Sequence, residues 1–205
     1  MKKIIICNIP MREYVANTVY ISDDESLPVS ANPYRYPINS LLSQTVTGDD
    51  ELKIILLIKK DENTFYEKNT SDYKHEIDEI CKLTGAKAEY ITVDTAFSQK
   101  KENHEQLMKK LIDEIDTGSH IMVDITYGPK DLPIVIFTML NFAEKFLRCE
   151  IVNIVYGQAT FKDNKVVGSI ICDMIPLYCL SSVTNAIRCD EPEKARKMLK
   201  SLLEL

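Results

Sequence analysis

No apolar run in this 205-residue chain reaches the length of a membrane span, so no transmembrane helix is expected. Positive charge is not in excess either. The formal net charge is −6, whereas a long phosphate backbone is gripped by a basic surface. Long DNA or RNA is therefore not expected as a partner; a small anion in a local basic pocket remains open. The glycine signatures of common nucleotide sites are missing. No GxGxxG follows a strand-like run and no GxxxxGK precedes Ser or Thr, so dinucleotide and P-loop readings lack support. There is no GxSxG elbow for a nucleophilic serine. The six cysteines, Cys7, Cys81, Cys149, Cys172, Cys179 and Cys189, form no CxxC pair. They read as reduced, buried thiols of a cytoplasmic protein. His75, His104 and His120 have no metal-ligand spacing, and His75 and His104 lie in polar stretches that predict solvated side chains. No metal and no cofactor is expected. The start, "MKKIIICNIP", has an apolar run too short for a signal peptide and no small-residue cleavage site. It reads as a first strand.

What is present is an alternation. Continuous apolar runs typical of buried parallel strands occupy 2–7, 52–59, 88–93, 120–125 and 150–156. Helical patterns lie between them. Pro37 opens a short helix over 37–45. A second helix is expected over 72–84, with Ser71 as cap, Gly85 as stop, and Tyr73, Ile77, Ile80 and Cys81 on one face. A third, over 103–116, aligns Leu107, Met108, Leu111, Ile112 and Ile115. The fourth, 132–147, capped by Asp131, is apolar nearly all round and so should be buried all round, with a dimer interface covering its outer face. A hairpin turning at Asp163-Asn164 follows, then a helix over 176–188 and a tail whose Ala195, Met198, Leu199, Leu202 and Leu203 share one face. The pattern predicts an α/β fold: a Rossmann-like, mostly parallel open sheet with helices on both faces and a C-terminal β-hairpin. Residues 1–188 are expected to form that domain and 189–205 a helical tail.

In such sheets ligands bind beyond the carboxyl ends of the strands, where the strand order reverses. If the first strand is central, two segments meet there: "CNIPMREY" and "DITYGPKDLP". In the second, Gly128 allows close backbone approach. Thr126 offers a hydroxyl to a phosphate oxygen, and Lys130 a point charge. Asp124 is expected inside the strand end, holding loop amides. In the first, Asn8 can read a base edge or a ribose hydroxyl, and Arg12 can pair with phosphate. Ile9, Pro10, Met11, Tyr127 and Pro129 complete the two segments. Tyr156, Gly157 and Gln158 end the fifth strand on the same edge. "NPYRYP" carries Tyr34, Arg35 and Tyr36, which suit base stacking or ordinary packing. Cys7, beside these residues, reads as a core thiol.

The run "DITYGPKDLPIVIFTMLNFAEKFLRCEIVNIVYGQATF" resembles the CARF domain, the cyclic-nucleotide sensor of type III CRISPR-Cas systems. The family pattern is Asp-x-Thr-His-Gly, a basic residue, then Leu-Pro, an apolar helix, a strand ending in Tyr-Tyr-Gly or similar, and a hairpin. Tyr127 stands where histidine is common, and Lys130 where arginine is common. The resemblance implies a homodimer that binds cyclic oligoadenylate of four or six units across its two-fold axis. About fifteen residues follow 190, too few for the HEPN ribonuclease or winged helix that many members carry, so the expectation is a lone domain similar to the family's metal-independent ring nucleases. That implies a ligand-binding set of Asn8, Ile9, Pro10, Met11, Arg12, Thr126, Tyr127, Gly128, Pro129, Lys130, Tyr156, Gly157 and Gln158. Lys130, Thr126, Asn8 and Arg12 are the implied catalytic residues. The alternative is a binding-only sensor or messenger sink, or the sensor part of an effector acting with another domain or partner.

Overall fold

A short run such as "KKIIIC", rich in β-branched residues, has no polar face to give to water, so it is stable only between two layers. The computed structural model places it so, and describes residues 1–13, 15–24, 27–60, 65–95, 100–163 and 165–203. Among the described residues six strands form one sheet: β1 (Lys2–Asn8), β2 (Glu51–Ile58), β3 (Lys87–Asp94), β4 (His120–Asp124), β5 (Glu150–Lys162) and β6 (Lys165–Asp173). Their order is β3-β2-β1-β4-β5-β6. The first five run parallel, and β6 pairs antiparallel with β5. The α/β, mostly parallel, Rossmann-like expectation is met.

The helices are α1 (Pro37–Thr45), α2 (Tyr66–Thr84), α3 (Lys101–Asp113), α4 (Leu132–Leu147), α5 (Ile175–Ala186) and α6 (Pro192–Leu203). Two compact units are present, Met1–Asp173 and Met174–Leu205. In the first, Ile5, Cys7, Ile54, Leu56 and Met122 face one way and form a core with Ile38, Leu41 and Leu42 of α1 and Tyr73, Ile77 and Ile80 of α2. Side chains alternate along a strand, so Ile4, Ile6, Ile55, Leu57, Ile121 and Val123 face the other way, and all are buried. Each such side chain contributes roughly 1.5–3 kcal/mol. The second unit holds α5 and α6, and no residue of α6 is buried. Among the described residues no helix is long and apolar enough to cross a membrane.

Several expectations need correction. α2 begins at Tyr66 rather than at residue 72, so Ser71 lies inside the helix and Phe65 is its N-cap. The cause is tertiary. Asn69, a weak helix former, is buried and its amide donates to the carbonyls of Pro10 (2.9 Å) and Arg12 (3.0 Å). Gly85 does stop the helix, at φ +84°, a conformation that glycine adopts freely. α3 ends at Asp113, before the expected 116. Asp131 stands at the N-cap of α4 but makes no side-chain capping bond; its carboxylate instead lies 2.9 Å from His104 Nε2. His104 is therefore half-buried rather than solvated, because the starts of α3 and α4 lie side by side. α4 buries Leu132, Ile136, Met139, Leu140 and Ala143. Its outer face leaves Ile134 69% and Phe146 61% exposed in the single chain. β5 continues to Lys162, well past 156, since β6 supplies the pairing. Asp163 turns the hairpin at φ +50°; Asn164 lies outside the described residues. All six cysteines are free, but only Cys7 and Cys149 are buried, and Cys179 is exposed. An apolar run does not say which face of its helix is covered.

Candidate functional site

β1 lies between β2 and β4. The chain leaving β1 passes to α1 on one face, and the chain leaving β4 passes to α4 on the other. The two segments part above the carboxyl ends of the strands and open a crevice there. Three sets of bonds shape it. Asp124, fully buried at the end of β4, accepts the Thr126 N–H at 2.8 Å and the Ile38 N–H of α1 at 3.3 Å. Burial pushes its carboxyl above the ordinary range, against the pull of those bonds from Thr126 and Ile38. Next, the Gly157 N–H donates to Thr126 Oγ1 at 2.7 Å, which joins β5 to the turn after β4. Lastly, Asn69 holds the carbonyls of Pro10 and Arg12, as above.

Gly157 is glycine for a packing reason. A Cβ there would lie 2.2 Å from Cγ of Pro37 and 3.3 Å from Thr126 Oγ1. The close approach is to the first turn of α1. Pro37 at N1 is favourable for the helix itself, and it also closes the floor between α1 and β5.

Beside this floor lies a cavity of about 250 Å³, lined by Arg12, Thr126, Tyr156 and Gln158 among others. Its apolar wall comes from Val15, Ala16, Tyr20, Ala159 and Phe161. Arg12 is its cation, and no carboxylate lines it among the described residues. Sequence reasoning missed the wall residues. The signals were present in the apolar spacing of "VANTVY" and in the alternation that continues β5 past Gly157.

The structure thus divides the expected site. Arg12, Thr126, Tyr127, Tyr156, Gly157 and Gln158 line one cavity. Asn8, Ile9 and Pro10 are buried beneath the surface, Met11 and Pro129 are half-buried, and Gly128 and Lys130 are exposed outside that cavity. Tyr127 turns inward. Its hydroxyl donates to the Arg35 carbonyl at 3.1 Å, and its ring meets Tyr36 edge-on at 6.0 Å. Burial pushes its phenol, like that of Tyr36, well above the usual range. Tyr36 is fully buried against Tyr73, so it packs and does not stack on a ligand. Arg35 is held by α2. Its N–H donates to Glu76 Oε1 at 2.8 Å, and its guanidinium lies 3.6 Å from Glu76 and 3.7 Å from Asp72. Cys7 is fully buried. Burial first, then Asp124 and Glu76, push its thiol up, which leaves little thiolate for nucleophilic attack. Among the described residues no three His, Cys, Asp or Glu side chains gather as metal ligands.

The class of protein that this architecture defines is a Rossmann-like α/β protein with a crevice at its topological switch point. No family model matches the chain, and a search of curated proteins finds no sequence match.

Proposed function

We propose that this protein is a CARF-type receptor that binds cyclic oligoadenylate of four or six units, as a homodimer, in type III CRISPR signalling. The observation that carries the proposal is the cavity at the switch point, lined among the described residues by one arginine, three tyrosines (Tyr20, Tyr127 and Tyr156) and no carboxylate. That composition suits an anionic ligand with aromatic bases. A two-fold dimer would present each segment twice to a symmetric ring, and the apolar outer face of α4, with Ile134 and Phe146, is the surface such a dimer would cover.

Cleavage of the ring is the second reading. It is favoured by Thr126 on the cavity wall, whose hydroxyl is held in place by the Gly157 N–H and the Asp124 carboxylate. In this reading a ribose 2′-hydroxyl attacks its neighbouring phosphate. The hydroxyl proton passes to solvent, the 5′-oxygen leaves and takes up a proton from solvent, and a linear product with a cyclic 2′,3′-phosphate and a 5′-hydroxyl results. Arg12 and Lys130 hold the phosphate while Asn8 and Thr126 orient the hydroxyl. Turnover is slow, since no histidine stands in the turn.

Titration calorimetry with cyclic tetra- and hexa-adenylate tests binding. Arg12→Ala, an exposed position, should weaken binding about tenfold without changing stability. A flat titration of the wild type would refute the proposal. Single-turnover incubation of labelled ring in EDTA, with Lys130→Ala as control, separates cleavage from binding alone.

A further inference from the structure

Asn8 ends β1 with 1% of its surface exposed. Among the described residues neither its Oδ1 nor its Nδ2 has a hydrogen-bond partner. The other buried asparagines near the crevice differ. Asn39 donates to Glu76 at 2.9 Å and Asn69 donates to two carbonyls, so each leaves only its Oδ1 without a partner, whereas Asn8 leaves both atoms so. A buried amide that makes no bond is less stable there than an apolar side chain of the same shape. Such a group is the kind that a binding site keeps at the expense of stability.

Gly128 lies directly over it. A Cβ on Gly128 would stand 3.2 Å from Asn8 Cγ and 3.3 Å from Nδ2. Gly128 is itself exposed, at φ +96°, so a single layer of backbone separates the amide from solvent. The turn is tied on both sides of that layer. Thr126 is bonded to Asp124 and Gly157, and Asp131 lies 2.9 Å from His104. Gly128, Pro129 and Lys130 form the span between the ties, with the Pro129 carbonyl accepting the Leu132 N–H at 3.1 Å.

We propose that this span is a lid over Asn8, and that the bound nucleotide lifts it and takes the Asn8 amide as its hydrogen-bond partner. The proposal rests on the binding reading above. The amide offers two donors and an acceptor, a match for an adenine edge or a ribose hydroxyl. Lifting the span also brings Lys130 round the same opening, so one movement would add a charge and an amide to the cavity that Arg12 and Thr126 already line.

The test is Asn8→Leu, close in shape and without polar atoms. In buffer alone its melting temperature should rise by about 3–8 °C, because the unpartnered amide is gone. Its affinity for cyclic tetra- or hexa-adenylate should fall at least about tenfold. Hydrogen exchange on the wild type gives a second readout that needs no variant. The amides of Gly128 and Lys130 should exchange faster than those of β4 and change on saturation with the ring. A melting temperature at or below wild type overturns the proposal, as does wild-type affinity in a stabilised Asn8→Leu. So does exchange at Gly128 and Lys130 as slow as in β4. A wild type that binds neither ring refutes the binding reading instead, and the stability and exchange results then judge the lid alone.

Discussion

Replacing Gly157 by alanine adds one carbon where Pro37 already stands. The new Cβ would lie 2.2 Å from Pro37 Cγ and 3.1 Å from its Cβ. To reach an ordinary contact near 3.5 Å the two groups must separate by about 1.3 Å. Neither side yields easily. Pro37 is in the first turn of α1, whose Pro37 to Leu42 are all buried, and the next N–H is bonded to Asp124. On the other side the Gly157 N–H is bonded to Thr126. The cost should therefore fall at the upper end of the overpacking range, about 3 kcal/mol. That is a fall in melting temperature of roughly 6–12 °C for a chain of this size. Urea unfolding followed by circular dichroism should show a lower midpoint with an unchanged slope. Pro37→Ala removes the ring carbon that makes the contact, so the double variant should recover more than about 1 kcal/mol relative to the sum of the singles. A Gly157→Ala protein that melts with the wild type would refute the reasoning. So would a destabilised one that Pro37→Ala fails to relieve.

Two further predictions concern carboxylates. Burial holds Glu76 above its ordinary value, opposed by bonds from Asn39 and Arg35. A raised folded value means that the folded state binds more protons than the unfolded one, so this group's stabilising contribution is full at low pH and is lost as pH rises through the folded value. Glu76→Gln should therefore lose less stability than the wild type between the ordinary carboxylate range and neutrality, measured by urea midpoints across pH; a parallel dependence would refute it. Asp50 has the opposite sign. Burial pulls it up, but the Lys3 ammonium at 2.7 Å and the Thr47 N–H and hydroxyl outweigh that and hold it below its ordinary value. Its contribution is present above the ordinary value and lost as pH falls through the lowered one. Asp50→Asn should cost about 2 kcal/mol at neutral pH and less as the pH is lowered; an undiminished cost in acid would count against the assignment.

The sheet was legible from local pattern. Unbroken apolar runs cannot face water on either side, so the five parallel strands and their place between helices follow from composition over a few residues. Pro37 and Gly85 mark helix ends through backbone angles that each residue carries with it. The turn from Asp124 to Lys130 could be picked out because Thr, Gly and a basic residue are more than a connector needs. The elements that escaped local reading depend on distant partners. α2 starts early because Asn69 is held by Pro10 and Arg12. β5 runs on because β6 returns beside it.

The amino-acid sequence alone determined the strand and helix alternation, the central position expected of β1, and the polar turn at the end of β4, since these rest on side-chain period and residue-specific backbone freedom. Only the tertiary structure decided what that turn touches. It set Gly157 against Pro37, turned Tyr127 into the core, brought His104 to Asp131, and sealed Asn8 beneath Gly128. Each of these contacts joins residues far apart along the chain. Local spacing carries no record of such meetings, because they arise from how layers stack and where the strand order reverses.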